Sequence, residues 1–280
     1  MATTTASDVR ASSLHSQEVE EQLKPRWSDV FGKVIFAIIL AVLLGISYTP
    51  AEMFNWRFFF DGQNLTNMAV FISDFLVPDF TEWDFYVEKM LETVYIAVWG
   101  TFLSIIIGVP VSLLCSTNIA PWWIVQPMRR LMDAARAINE FVFALLFVAA
   151  VGLGPFAGVL ALLVHNLGVI AKLFSEAVEA TDPRPVEGVW STGATRTQEV
   201  IYGVLPQVMP IWASLSLYRF ETMVRSATVL GLVGAGGIGL TLYEALRSFD
   251  YAKASAIILI IVITVSIIDV ISSQLRKFLI

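Results

Sequence analysis

The residues able to do chemistry are few, and most are charges set inside apolar runs. Arg219, Glu221 and Arg225 fall in one run that starts near Pro206–Pro210 and ends at about Leu230. Arg219 follows Pro206 by thirteen residues, or about 20 Å along a helix rising ~1.5 Å per residue, which predicts a position near mid-bilayer. Ionisable groups at such depth are functional candidates. A guanidinium offers the paired donors that suit an oxyanion. Glu221 and Arg225 lie four apart with the acid first, the better order for a helical ion pair. They read as a structural pair, leaving Arg219 either as the freer cation facing a pathway or as a partner of Glu140 or Asp269. Arg129, Asp133, Arg136 and Glu140 recur at i, i+4, i+7 and i+11, which places them on one helical stripe. The first two read as solvated or facing a neighbouring helix. Asn139 and Glu140 reach deeper, to line a pore or hydrogen-bond between helices.

Other chemistries lack their residues. His15 and His165 are the two histidines and Cys115 the one cysteine, which excludes an internal disulfide, a multi-cysteine metal site and a histidine-ligated centre. His165 beside Asn166 reads as a helix–helix hydrogen bond. No Ser/Lys pair or His-rich site suggests a membrane-embedded enzyme. The chain is 56% hydrophobic and 15% charged, against roughly 45–50% and 25% in soluble domains. That excludes an ordinary cytosolic enzyme and a disordered scaffold. The net charge of −6 gives no basic footprint for nucleic acid.

About 20 apolar residues cross a bilayer. Six segments qualify: Val34–Tyr48, Val94–Cys115, Ala137–Leu153, Pro155–Phe174, the run from Pro206–Pro210 to Leu230, and Ser255–Ile271 with Asp269 near its end. Gly154 alone separates the third and fourth, which predicts a tight helical hairpin. Residues 1–30 read as a polar tail and 31–280 as a membrane domain. The first segment has no small-residue cleavage site after it and reads as an uncleaved anchor. With the N-terminus inside, twelve Lys and Arg residues fall in inside segments and four in outside ones. By the positive-inside rule both termini are cytoplasmic. The stretch of about 50–92 is then an external, acidic loop, from Glu52 to Glu92.

The cytoplasmic loop at about 175–207 carries the most information. Asp182-Pro183-Arg184-Pro185 breaks the helix leaving the membrane. Pro185 suits the first position of a new helix, with Glu187 in its first turn at the positive dipole end. Gly193 can stop that helix in a left-handed cap. Thr195 with Gln198 fits a capping box for a second short helix. The pattern is helix, glycine turn, helix: a rigid knob that calls for a cytoplasmic socket.

These residues resemble the EAA loop of ABC-importer permeases, in which Glu-Ala-Ala is followed by a glycine four residues on and later by Ile-x-Leu-Pro. The chain keeps Glu187, Gly193, Leu205 and Pro206, and departs at Gly188, Val189 and Gly203. The run from Arg225 to Gly239 is similar to the glycine-rich stretch of phosphonate-type permeases, as are Arg129–Asp133, Arg136–Glu140 and Val151–Pro155. The resemblance to the phosphonate/phosphite permeases covers roughly residues 85–280. It implies an all-α type I importer permease with about six transmembrane helices in a bacterial inner membrane. It also implies a homodimeric pore, two cytoplasmic ATPase subunits on the loop (Glu187, Gly188, Gly193, Ala194, Leu205, Pro206), and a periplasmic or lipid-anchored binding protein that delivers the ligand. The chain itself would bind no cofactor; ATP and Mg would sit in the partner ATPase.

Gly234-Ala-Gly236-Gly237-Ile238-Gly239 matches G-x-G-x-x-G, but a dinucleotide site needs a strand before it and a βαβ unit around it. Here a membrane segment precedes it. With Gly231, these glycines read as close helix packing or a broken helix. No Walker A sequence is present, so any ATP hydrolysis belongs to another subunit and the chain is not itself an enzyme. A methionine-type importer permease and an ion-driven secondary transporter are the alternatives. The latter would show inverted repeats.

Overall fold

The computed structural model describes residues 27–48 and 62–279. The expected polar tail lies almost wholly outside them, as does 49–61. Contacts divide the chain into two units, residues 1–69 and 70–280. In the first, α1 (Trp27–Tyr48) is a 22-residue helix, long enough at ~1.5 Å per residue to cross the ~30 Å hydrocarbon core. It begins seven residues before the expected segment.

The remaining elements are α2 (Gly62–Phe75), α3 (Trp83–Cys115), α4 (Trp122–Ala137), α5 (Glu140–Val151), α6 (Pro155–Glu179), α7 (Pro183–Trp190) and α8 (Arg196–Gln198). After α8 comes a π-helical turn (Glu199–Val204), then α9 (Leu205–Leu230), a 3-10 turn (Gly231–Val233), α10 (Ile238–Arg247) and α11 (Tyr251–Leu279). Among the described residues, five helices are long and apolar enough to cross a membrane, or six if α4 and α5 together count as one bent span.

The centre of the larger unit is the parallel pair α3 and α6. Small residues let them approach: a Cβ on Gly100 would stand 2.8 Å from the Leu162 Cβ, and one on Gly108 would stand 2.7 Å from Ile170. Ser104 Oγ donates across the pair to the Leu163 carbonyl at 3.1 Å. Helices without a hydrophobic driving force between them associate through such close contacts. Against this pair α9, α10 and α11 pack their apolar faces, burying Met223, Val224, Ala227, Leu230, Ile238 and Ile257.

Three expectations change. The third segment shortens to α5, and the stripe leading into it is not one straight helix: α4 and α5 meet at 88°. Ile138 and Asn139 are extended, and the Asn139 side chain accepts from the Phe141 N–H at 2.9 Å, capping α5. A side chain that satisfies an orphan N–H favours this restart over helix continuation. The stripe from Arg129 to Glu140 is therefore cut before its last member. The loop helix starts at Pro183 rather than Pro185, because Asp182 caps it by accepting from the Arg184 N–H at 3.0 Å. Glu187 thus falls in the second turn. The stretch 62–92 is largely helical, and Glu92 lies within α3 rather than in an outer loop.

Candidate coupling loop and intramembrane polar cluster

At one end of the bundle the chain from Asp182 to Val204 builds the knob. Gly193 holds φ +82° and its N–H bonds the Trp190 carbonyl at 3.0 Å, the left-handed turn that glycine adopts without a Cβ penalty. Thr195 and Gln198 close as expected, with the Thr195 N–H donating to Gln198 Oε1 at 2.8 Å. Glu187 and Gly188 are exposed, Ala194 and Leu205 half-buried and Pro206 exposed. Trp190 is 67% and Tyr202 68% exposed, so large aromatic side chains stand on the knob's surface. A groove of about 570 Å³ lies beside Tyr202, lined also by Pro185, Val189, Gly193 and Ala194 among others.

The knob is tied down by residues that the motif did not reveal. Gly203, a departure from the family pattern, lies against α7: a Cβ there would meet the Val186 Cα at 2.9 Å. Glu179 accepts from the Thr117 N–H at 2.7 Å and its hydroxyl at 2.6 Å, and pairs with Arg129. Arg196 pairs with Glu199 at 2.8 Å and donates to the Asn118 carbonyl. Arg129 is therefore a brace for the end of α6, from which the loop departs, while Asp133 pairs along its own helix with Arg136 at 2.8 Å.

Within the bundle the expected charges divide into two groups. Glu221 and Arg225 do pair, at 3.4 Å, as part of a larger network: Arg225 also holds Asp269 at 3.2 Å, and Arg276 holds Glu221 at 3.1 Å. Arg276 lies in the last turn of α11. The network therefore sits level with the basic end of that helix rather than its middle. Arg219 is 9% exposed and pairs with neither Glu140 nor Asp269. Its Nε donates to Asn166 Oδ1 at 2.8 Å. Glu140 accepts from the Ser226 hydroxyl at 2.7 Å and lies 3.4 Å from His165 Nε2. His165 Nδ1 donates to the Ile138 carbonyl at 2.9 Å, freed by the helix break. The expected helix–helix bond of His165 thus anchors the α4–α5 bend.

The glycine run is a broken helix. Gly234, Gly236 and Gly237 all have φ near +80°. No strand precedes them among the described residues, which removes the dinucleotide reading. Gly236 and Gly237 are pressed against Glu92, Pro155 and Thr93, with a hypothetical Cβ at 2.4–2.9 Å from them. The Glu92 carboxylate accepts from the Gly237 N–H at 3.0 Å and the Thr93 hydroxyl from the Ile238 N–H at 2.8 Å. Two side chains of α3 thus cap α10 across the bundle, a role legible only once the helices are together. Gly231 and Gly239 cross with backbone against backbone. Among the described residues no group of His, Cys, Asp and Glu is placed to hold a metal ion.

This geometry agrees with what the chain is similar to. It is 37% identical over 216 residues to a phosphite transport system permease protein of Stutzerimonas stutzeri, covering 77% of this chain and 78% of that one. It is 40% identical over 190 residues to a phosphate-import permease protein of Mycolicibacterium smegmatis, covering 68% of this chain and 36% of the relative. In fold it is similar to a chain of the MetNI methionine ABC transporter in an inward-facing conformation, with a TM-score of 0.62 at 21% identity over 69% of this chain and 95% of that one. The family model described as the binding-protein-dependent transport system inner membrane component matches residues 96–280. The chain belongs to that family, as a multi-pass membrane permease of the type I importer fold.

Proposed function

We propose that the chain is the permease subunit of an ABC importer that carries phosphonate, phosphite or a related oxyanion across a bacterial inner membrane, with both termini cytoplasmic. Two cytoplasmic ATPase subunits, holding ATP and Mg, dock on the knob. A periplasmic or lipid-anchored binding protein delivers the ligand at the opposite end, and a second copy of the chain completes the pore. The observation that carries this reading is the exposed, braced helix α7 with its left-handed Gly193 stop. A short rigid helix seated in a partner's cleft converts closure of that partner into rotation of the helices it leads into, a hinge or shear motion. The brace supports this role, since Arg196 in the loop donates to the Asn118 carbonyl and Glu179, at the end of α6 where the loop begins, pairs with Arg129 on α4. The relatives' named cargoes, phosphite and phosphate, support an oxyanion. Arg219, Glu221, Arg225, Asn139 and Glu140 are the polar groups offered to the pathway. Glu187→Arg, on the exposed face of α7, tests the docking: the variant is expected to fold and to lose the co-purifying ATPase. Undiminished co-purification would overturn the assignment of α7.

A further inference from the structure

The buried pair Arg219 and Asn166 leaves two donors without acceptors. Arg219 Nη2 and Asn166 Nδ2 are both enclosed, and neither has a hydrogen-bond partner among the described residues. Asn166 is fully buried, and its Oδ1 already receives Arg219 Nε at 2.8 Å. The two orphaned donors therefore belong to one joined unit on facing helices, α6 and α9. Leaving a buried donor unpaired is costly, and more so when it is charged. A well-packed bundle that retains two of them together carries a site made for an acceptor. The positive character extends further. Asn139 caps α5 beside the break, so the positive end of that helix dipole opens onto the cluster. The Glu140 carboxylate sits in the first turn of α5, held by Ser226, within electrostatic reach of Arg219. It acts as a resident counter-charge.

We propose that Arg219 and Asn166 form an oxyanion-coordinating unit, Arg219 Nη2 and Asn166 Nδ2 donating to two oxygens of a tetrahedral anion when the bundle opens, with Glu140 balancing Arg219 when it is closed. This rests on the importer reading above and adds Asn166, which no motif singled out. A tetrahedral phosphonate or phosphate presents several oxygens to a converging set of donors, and a guanidinium with an adjacent amide N–H matches two of them. A zwitterionic amino acid offers one carboxylate and brings an ammonium that Arg219 would repel.

The test is ATP-driven uptake of labelled methylphosphonate and inorganic phosphate by the assembled complex in proteoliposomes, with co-purification of all subunits as the folding control. Asn166→Asp replaces the free amide with a carboxylate that pairs internally with Arg219. Arg219→Lys keeps the charge and loses the fork. Each is expected to cut uptake about 10- to 100-fold, the loss typical of a charge-assisted bond removed. Lys172→Gln, which removes a cation of α6 paired along its own helix with Glu176 at 3.0 Å and outside the proposed unit, is expected to retain uptake. If all three variants fall together, the loss is not specific to the Arg219–Asn166 unit and the proposal fails. Wild-type uptake in the Asn166→Asp and Arg219→Lys variants would overturn it as well. A wild-type complex that carries neither oxyanion would bring down the importer reading itself, a separate outcome.

Discussion

Gly239→Ala tests the packing that turns the chain between α9 and α10. A Cβ at Gly239 would stand 2.1 Å from the Thr228 carbonyl oxygen and 3.0 Å from the Gly231 Cα. Carbon–oxygen contacts settle near ~3.3 Å, so the backbones must part by about 1 Å. Both obstacles are backbone, which no rotamer change relieves. Overpacking costs typically about 1–3 kcal/mol, and rigid obstacles place this case at the upper end. At ~2–4 °C per kcal/mol for a domain of this size, unfolding should move down by roughly 6–12 °C. The assay is thermal unfolding of the detergent-solubilised protein followed by tryptophan fluorescence, for which the chain has eight reporters. Gly188→Ala is the control, because nothing lies within 4 Å of a Cβ there. Alanine within helix α7 is expected to be neutral or stabilising by about 0.5–1 kcal/mol. A Gly239→Ala shift below about 2 °C, on the same scale, or an equal loss for Gly188→Ala, would refute the reasoning.

Further outcomes follow from the same geometry. Glu221→Gln removes the negative charge shared by Arg225 and Arg276 and turns one of its two acceptor oxygens into a donor, which should cost about 1–3 kcal/mol; Asp269→Asn, with a partner exposed at 45%, should cost less in the same thermal assay. Asp182→Ala deletes the cap of α7, worth about 1 kcal/mol, and should speed hydrogen exchange and proteolysis between residues 182 and 193. Outside the membrane segments, hydrogen bonds from Thr81 hold the Asp79 carboxyl below its usual value. Its folded-state pKa is depressed, so the contribution is present above the ordinary aspartate value of about 3.9 and is lost as pH falls through the lowered one. Exchange of the Thr81 amide should accelerate only in that acid range, and Thr81→Ala should move the Asp79 titration upward.

The knob was legible because its signals are local. Asp182-Pro183, Gly193 and the Thr195–Gln198 box each act within a few residues, so spacing alone places them. The two-residue error in the helix start arose from placing Pro185 rather than Pro183 at the first helical position. The glycine run was readable as close packing for the same reason, since glycine at that density serves backbone approach. What spacing could not supply were contacts between segments far apart in sequence. Glu92 capping Gly237, Glu179 receiving Thr117 and Arg129 and Asn166 receiving Arg219 all span fifty residues or more. The bend at Ile138–Asn139 was hidden by the helical spacing of Arg129, Asp133, Arg136 and Glu140. Its local sign was Asn139 immediately before Glu140, the side-chain acceptor and acidic first residue of a helix start.

The central claim is that this membrane chain is driven by a docked ATPase and fed by a binding protein. Its most direct test is to purify the chain in detergent, reconstitute it in lipid with whatever subunits co-purify, and measure ATP hydrolysis with and without liganded binding protein. The account predicts that an ATPase co-purifies and that hydrolysis rises with binding protein carrying a phosphonate, phosphite or phosphate. Uptake that follows an ion gradient, with no associated ATPase, would contradict it.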